Sequence, residues 1–451
     1  MLLIGCLTVF VSSMTGSISD ENIFELGMCT HFSQGKGIVE SNIYSMKMAG
    51  ISSIRDESTW KDVERTKDVL EISERIDRYI DHANKEGIGV MMILDYSNPF
   101  YDDGDRPKSP EAVEGFCRYS EHIVKHFGDK IKWYEIWNEW DIPIGLPPKH
   151  QEKNGERNRG KAEDYFNLLK AVYPRIKSAN PDAIVLGGCP TPGAVRNGWL
   201  EKIMKLGAVD YCDAISIHTY NYSAKGFDRT PEAWQAWMLE VQAMLRKYNN
   251  DNDPDFYVTE MGWPTHVDER GTSPELSASY LARLYLLART MPSFEGLWWY
   301  DFQDDGWKAE YNENNFGIIR PDLTPKPAYY VTWDISELVK HGEYLGRMKT
   351  SDENLWLLQF KLDGDNIWAV WSGDDQERQV IFETKDTGID LSVLQTGHKH
   401  MDMKWGHRDW VDNRGQPLMK SRMSLTVGHR PYILKGGLGN ISVVDIIPRP
   451  R

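Results

Sequence analysis

Two glutamates stand out by what precedes them. Glu139 closes the run Trp133-Tyr134-Glu135-Ile136-Trp137-Asn138-Glu139, and Glu260 stands in Tyr257-Val258-Thr259-Glu260-Met261-Gly262-Trp263. Each run is apolar and strand-forming and ends by presenting a carboxylate. Two carboxylates flanking one bond are the minimum equipment for cleaving a glycosidic linkage, and a spacing of ~5–5.5 Å allows a covalent, configuration-retaining route. Neighbouring run ends supply fitting parts. Arg55 is expected to keep one carboxylate ionised by charge-assisted hydrogen bonding. Asn138 is placed to bind a sugar 2-hydroxyl. His218 and Tyr220, two apart, point to one side. Trp298 and Trp299 point to opposite sides, so one is expected to be a flat platform for a sugar ring and the other core. His31 is read either as a cleft residue or as a structural histidine. Glu135 is expected to be the buried partner of a basic group.

These residues need a scaffold that brings run ends together. Eight short apolar runs, at 24–32, 51–55, 89–95, 131–137, 183–187, 214–218, 255–259 and 296–300, alternate with amphipathic stretches. One such stretch starts at Ser109-Pro110-Glu111, a capping residue followed by proline at the first helical position, and closes at Gly128. Eight alternations of strand and helix predict an α/β fold, a (β/α)8 TIM barrel, whose functional residues gather at the C-terminal strand ends. A doubly wound sheet lacks its nucleotide fingerprint here, because Gly35-Lys36-Gly37 is too short. After about Leu338 the pattern changes to alternating runs with polar turns, which predicts a small antiparallel β-sandwich. The expected division is a signal-like segment 1–19, a catalytic barrel 20–337 and an accessory β-domain 338–451. No Gly/Ser- or Pro-rich linker separates the last two, so a fixed interface is expected.

Taken together, Trp137-Asn138-Glu139, Thr259-Glu260-Met261-Gly262-Trp263, Arg55, His218-x-Tyr220 and the strand-eight tryptophan resemble clan A of the retaining glycoside hydrolases. Leu94-Asp95-Tyr96-Ser97-Asn98-Pro99-Phe100-Tyr101, Asn315-Phe316-Gly317 and Pro325-Lys326-Pro327-Ala328-Tyr329 are similar to family 39 and related exopolysaccharide endo-hydrolases. The resemblance covers about residues 24–335 and implies Glu139 as acid/base and Glu260 as nucleophile. No motif names a sugar. A non-catalytic carbohydrate-binding barrel, an exo-acting β-glycosidase and a transglycosylase are the rival readings. Trp137, Trp140, Trp263, Trp299 and Trp307, all at or past run ends, predict an aromatic cleft and internal cleavage of a β-linked chain.

Composition narrows the partners. A formal net charge of −15 over 451 residues argues against nucleic acid and anionic membranes. The five cysteines form no CxxC pair, and Cys29, Cys117, Cys189 and Cys212, in or beside apolar runs, are read as free buried thiols. No metal set is expected; His398, His400 and His407 are read as loop residues, and the two-carboxylate chemistry needs no cofactor. Met1 to Ser17 resembles the apolar core of an export signal, and Leu3-Ile4-Gly5-Cys6 resembles a lipobox, so a secreted or periplasmic product, with Cys6 as the site of any lipid anchor, is the expectation. No integral membrane segment is predicted.

Overall fold

The computed structural model describes residues 23–374, 376–384, 392–395, 421–435 and 441–448. The signal-like segment with Cys6, and His398, His400 and His407, lie outside the described residues. Eight parallel strands close into a barrel: β1 (Glu25–Cys29), β2 (Ser53–Thr59), β3 (Gly89–Asp95), β4 (Trp133–Ile136), β5 (Ile184–Gly188), β6 (Ala214–His218), β7 (Phe256–Met261) and β8 (Phe294–Trp299). β8 pairs with β1, Glu25 opposite Gly296 and Met28 opposite Trp299, so no edge remains. The strands are apolar runs because helices cover the outside and neighbours fill the inside.

The lumen is plugged by side chains. Cys29, Met91, Trp133, Leu186, Ala214, Tyr257 and Trp298 pack together there. Trp298 lies so close to β1 that a Cβ on Gly27 would sit 2.3 Å from its ring. The outer helices begin where the sequence marks them. Ser109 Oγ accepts from Ala112 N at 3.2 Å, opening the helix Pro110–Phe127. Thr230 and Ser273 cap Pro231–Arg246 and Pro274–Ala288 the same way, each with proline next.

The helix Pro274–Ala288 is buried from Ser277 to Ala288, not along one stripe. Its outer side is covered by the C-terminal β-domain. There a five-stranded antiparallel sheet, with Leu355–Leu362 and Asp365–Ser372 near its centre, faces a three-stranded one built on Arg378–Thr384. Alternation along the central strands divides their side chains. Leu355, Leu357, Trp368 and Val370 pack on Val380, Phe382, Leu425 and Val427 of the smaller sheet. Leu358, Phe360, Ile367, Ala369 and Trp371 turn the other way, onto Leu286, Leu287 and Leu338 of the barrel helices. A buried polar link adds to this: Arg283 Nε donates to Glu232 Oε1 at 2.8 Å, and Trp371 Nε1 donates to the same oxygen at 2.7 Å.

The last barrel helix runs Pro327–His341, so the division expected at 338 falls inside it. Leu338 and Val339 continue the buried helical face, and the period breaks only at Gly342. Among the described residues no helix is long and apolar enough to cross a membrane. A chain ending at Gly342 exposes Leu286, Leu287, Leu338 and the Arg283–Glu232 pair. It is expected to aggregate on expression; a soluble barrel melting like the full chain would contradict the shared core.

Candidate active site

The floor of the barrel mouth is organised by Arg55 on β2, whose side chain is 2% exposed. Its Nε donates to Glu135 Oε2 at 2.8 Å, its Nη1 to Glu260 Oε1 at 2.7 Å and its Nη2 to Asn138 Oδ1 at 2.8 Å. Three strands and the turn after β4 are thereby tied to one guanidinium. Glu260, near the end of β7, takes a second hydrogen bond from Tyr220 Oη at 2.7 Å on Oε2.

Glu139 is reached differently. β4 ends at Ile136, and Trp137 and Glu139 take left-handed backbone angles, φ 69° and 51°. Strand alternation therefore does not extend to Glu139; the chain leaves the strand in a turn that L-residues rarely adopt. The turn is pinned from β5's end, where the Cys189 carbonyl accepts from Glu139 N at 3.0 Å. The carboxylate is held from β6: His218 Nδ1 donates to Glu139 Oε1 at 2.9 Å and lies 3.4 Å from Glu260 Oε2. His218 Nε2 lies 3.1 Å from Cys189 Sγ, so Cys189 supports Glu139 at both its backbone and, through His218, its side chain. One oxygen of Glu139 and one of Glu260 lie within 4.8 Å of each other.

Burial and charge push the two glutamates apart. Burial raises the Glu139 pKa, and the hydrogen bond and charge of His218 only partly oppose it. Burial acts the same way on Glu260, but the charges of His218 and Arg55 and the hydrogen bonds from Tyr220 and Arg55 outweigh it and hold Glu260 below the usual carboxylate range. Burial disfavours the His218 imidazolium, yet the negative charge around it, Glu260 included, and its hydrogen bonds leave its pKa well raised. One carboxyl tends to keep its proton while its neighbour stays ionised, the arrangement of an acid beside a nucleophile.

The two glutamates open into a cavity of about 310 Å³ that Arg55, Asn138, Tyr220 and His31 also line. Asn138 accepts from Arg55 and donates through Nδ2 to Tyr96 Oη at 2.8 Å, which leaves its second amide proton for a ligand. His31, on the cavity wall, contacts Asp305 Oδ1 through Nδ1 at 2.9 Å.

The tryptophan platform is corrected. Trp298 and Trp299 are both fully buried, and neither lines the cavity. β8 ends at Trp299, so Trp298 lies in the lumen below the floor and Trp299 packs on Trp263 at 5.9 Å. The first residue past the strand, Tyr300, reaches the mouth and stacks edge-on with Tyr220 and Phe316. Of the five tryptophans expected at the rim, Trp137, Trp140, Trp263 and Trp299 are buried and only Trp307 is exposed, at 67%.

Glu57 and Glu313 also line the cavity, beyond the residues the sequence points to. Glu57 was findable, because it lies two past Arg55 on a strand that runs on to Thr59. Glu313 comes from a long loop and carries no local signal. Tyr96 lines the cavity, whereas Asn98 and Tyr101 close a loop on Glu64, at 3.0 and 2.7 Å. Glu135 is the buried partner of Arg55. The described cysteines, Cys29, Cys117, Cys189 and Cys212, are free and buried. Glu135–Cys189–His218, Glu139–His218–Glu260 and His31–Asp301–Asp305 each bring three potential metal-ligand atoms within 4.8 Å. Arg55 already supplies the positive charge beside the first two groups.

Residues 18–285 match the family model described as Cellulase (glycosyl hydrolase family 5). No curated protein matches the chain. Among solved structures, a family 39 glycoside hydrolase from the gut symbiont Bacteroides cellulosilyticus WH2 is 25% identical with a TM-score of 0.70, covering 91% of this chain and 80% of that one. The GH39 enzyme from Xanthomonas axonopodis pv. citri (14% identity, TM-score 0.58) covers 92% of this chain and 94% of its own. A GH30 endoxylanase from Clostridium papyrosolvens C71 (12%, 0.60) covers 92% and 97%. The last two likenesses establish the fold alone.

Replacing Arg55 by Met leaves Glu135 buried without a counter-charge. The expected cost is about 3–5 kcal/mol. Denaturant unfolding checks it, and Arg55→Met/Glu135→Met together should recover most of the loss. A single variant as stable as wild type would mean that the ion pair does not hold the floor.

Proposed function

The chain belongs to the cellulase family, glycosyl hydrolase family 5, and from that premise we propose a retaining hydrolase of β-glycosidic bonds in an oligo- or polysaccharide. The chain is a glycosidase by its family and fold. The retaining route is supported chiefly by one observation, the approach of Glu139 and Glu260 to within 4.8 Å. Inverting enzymes keep their carboxyls ~6.5–9.5 Å apart to admit a water.

In this reading Glu260 Oε attacks the anomeric carbon while the Glu139 carboxyl gives its proton to the departing glycosidic oxygen. The C–O bond to the leaving sugar breaks, and a glycosyl ester forms on Glu260. Esterification removes the negative charge beside Glu139, which lowers its pKa and suits it to take a proton from the incoming water. That water attacks the anomeric carbon, the ester bond breaks and Glu260 leaves as carboxylate. Arg55 and Tyr220 hold Glu260 ionised and aimed, His218 orients Glu139, and the free Asn138 amide proton serves a sugar hydroxyl. The reaction needs no cofactor. A barrel that only binds glycan has no use for two carboxyls with pKa values driven in opposite directions, which disfavours that rival.

We infer internal cleavage, on different grounds from the aromatic rim, since four of its five tryptophans are buried. Beside the catalytic cavity lies a second one, and Thr30 and His31 line both. A bound chain therefore has room to continue past the sugar undergoing reaction. Digestion of a panel of β-linked polysaccharides with product sizing tests this. Internal cleavage shows as an early fall in chain length, and release of monosaccharide alone would refute it.

The roles are tested by azide. Glu260→Ala should lose turnover and regain it with azide as a glycosyl azide of inverted configuration. Glu139→Ala should give the retained azide, from substrates with good leaving groups. Exchanged outcomes would mean exchanged roles. In the intact enzyme kcat/KM should fall as pH drops through the lowered pKa of Glu260 and fall again as pH rises through the raised pKa of Glu139. Glu139→Gln should abolish the alkaline limb.

A further inference from the structure

His218 is fully buried, and each of its ring nitrogens meets groups from other strands. Nδ1 faces the two carboxyls, Glu139 Oε1 at 2.9 Å and Glu260 Oε2 at 3.4 Å. Nε2 faces Cys189 Sγ at 3.1 Å and Arg55 Nη2 at 3.4 Å. Glu135 brings a carboxylate oxygen within 4.8 Å, and Tyr220 meets the ring edge-on at 6.4 Å.

In the reaction as read above, one negative charge stays in front of Nδ1 throughout. It lies on Glu260 in the free enzyme. It lies on Glu139 once that residue has given up its proton and Glu260 is esterified. Glu135 matches Arg55, so His218 supplies the counter-charge in both states. A charged imidazole carries a proton on each nitrogen, and a buried Nε2–H needs an acceptor. Arg55 offers only donors. Among the described residues, Cys189 Sγ is the one acceptor within hydrogen-bond reach of Nε2. Burial pushes the Cys189 thiol up to about 11, so the sulfur stays protonated and turns its own hydrogen to Asn138 Oδ1, 3.8 Å away. Burial also opposes the His218 charge, but the Cys189 contact, the Glu260 charge and the Glu139 hydrogen bond override it.

The backbone holds the sulfur in place. Cys189 N donates to the Ser216 carbonyl at 2.7 Å, and the Cys189 carbonyl accepts from Glu139 N at 3.0 Å. His218 N donates to the Pro190 carbonyl at 3.1 Å. We propose that Cys189 is a positioning residue of the reaction, whose thiol accepts the His218 Nε2 proton and keeps His218 doubly protonated in front of whichever glutamate is ionised. The assignment rests on the hydrolase reading above and adds to it a residue behind the catalytic pair. Without the sulfur, only the Arg55 donor remains on Nε2, and a donor there favours a bare nitrogen. His218 then takes the neutral form protonated on Nδ1, which still hydrogen-bonds Glu139 but brings no charge. Loss of a neighbouring cation raises a carboxyl pKa. The acid limb of kcat/KM, set by Glu260, and the alkaline limb, set by Glu139, then both move to higher pH.

The test compares Cys189→Ala and Cys189→Ser in the full chain. The φ of Cys189 is 49°, so a β-branched replacement would be strained, whereas both of these keep the backbone bonds. In Cys189→Ala both limbs are expected about one pH unit or more above those of the wild type. In Cys189→Ser, whose hydroxyl oxygen accepts in the sulfur's place, they return to the wild-type positions. A second measurement needs no substrate: nuclear magnetic resonance of isotope-labelled histidine ring nitrogens, with the His218 signals identified by their absence in His218→Asn. Near neutral pH the wild type and Cys189→Ser should show both His218 nitrogens protonated, and Cys189→Ala only Nδ1. A Cys189→Ala enzyme slowed at every pH with its limbs unmoved, or a His218 ring still doubly protonated in it, would make Cys189 a packing residue and overturn the proposal. A wild type inactive on every β-linked polysaccharide of the panel would count against the hydrolase reading, and the ring nitrogens would then decide alone whether Cys189 holds the His218 proton.

Discussion

Everything at the barrel mouth depends on one buried cation. Arg55 has almost no contact with solvent, and its planar fork meets Glu135 from below, Glu260 from the side and Asn138 from above. A guanidinium can do this because its donors diverge in one plane and its charge survives burial; an ammonium offers a point charge and loses its proton more readily when desolvated. Glu135 supplies the first anion, and without it Glu260 alone would face the full charge of the arginine. With Glu135 already matching Arg55, the charge that balances an ionised Glu260 comes from His218, whose own pKa is raised. The ion pair is therefore less a source of net stability than a condition on which charge state the site adopts.

From that condition follows the asymmetry between the two glutamates. Both are buried in the same cavity wall and both feel desolvation in the same direction. Glu260 escapes upward drift through the charges of His218 and Arg55 and the hydrogen bonds of Tyr220 and Arg55; Glu139 has His218 alone and keeps a raised pKa. Their backbones differ as well. Glu260 sits within β7, at a point where the register to both neighbouring strands shifts, while Glu139 sits in a left-handed turn that the Cys189 carbonyl fastens. The strand carries the residue paired to the arginine, and the turn carries the residue that must face a departing group. Cys189 is a small, half-polar side chain with room for His218 on one side and Arg55 Nη2, 3.6 Å away, on the other.

The scaffold holds this arrangement through layers that share members. Trp298 fills the lumen directly beneath the floor and forces glycine at Gly27. The helix Pro274–Ala288 packs on the barrel with one side and on the five-stranded sheet with the other, and Arg283 from that helix reaches Glu232 at the seam. The β-domain is thus continuous with the barrel's outer layer. Its central sheet is buried on both faces, which is why its strands carry apolar residues at successive positions, such as Leu357-Leu358 and Ala369-Val370.

Sequence alone determined the parts whose signal is local. Eight apolar runs, the Ser-Pro and Thr-Pro helix starts, the alternating C-terminal runs and the carboxylates at two strand ends are all written in spacing of two or about four residues, which the backbone imposes before any tertiary contact. Arg55, Glu139, Glu260, His218 and Tyr220 were legible because the barrel rule says where to look. The limits came where that rule is off by one or two residues. The apolar run continues to Tyr300, one residue past the true end of β8, so Trp298 and Trp299 look like mouth residues in the sequence, whereas a strand's last inward position lies under the floor, not on it. Glu57 has no apolar signal because the apolar run stops at Arg55, four residues before β2 ends at Thr59. Other features have no local signature at all: Glu313 arriving from a distant loop, Cys189 supporting Glu139 at both its backbone and its side chain, and the unsatisfied oxygens of Asp301. Whether a buried acceptor meets a donor depends on chain segments hundreds of residues apart, such as His31 and Asp301. That is a property of packing, which only the folded molecule decides.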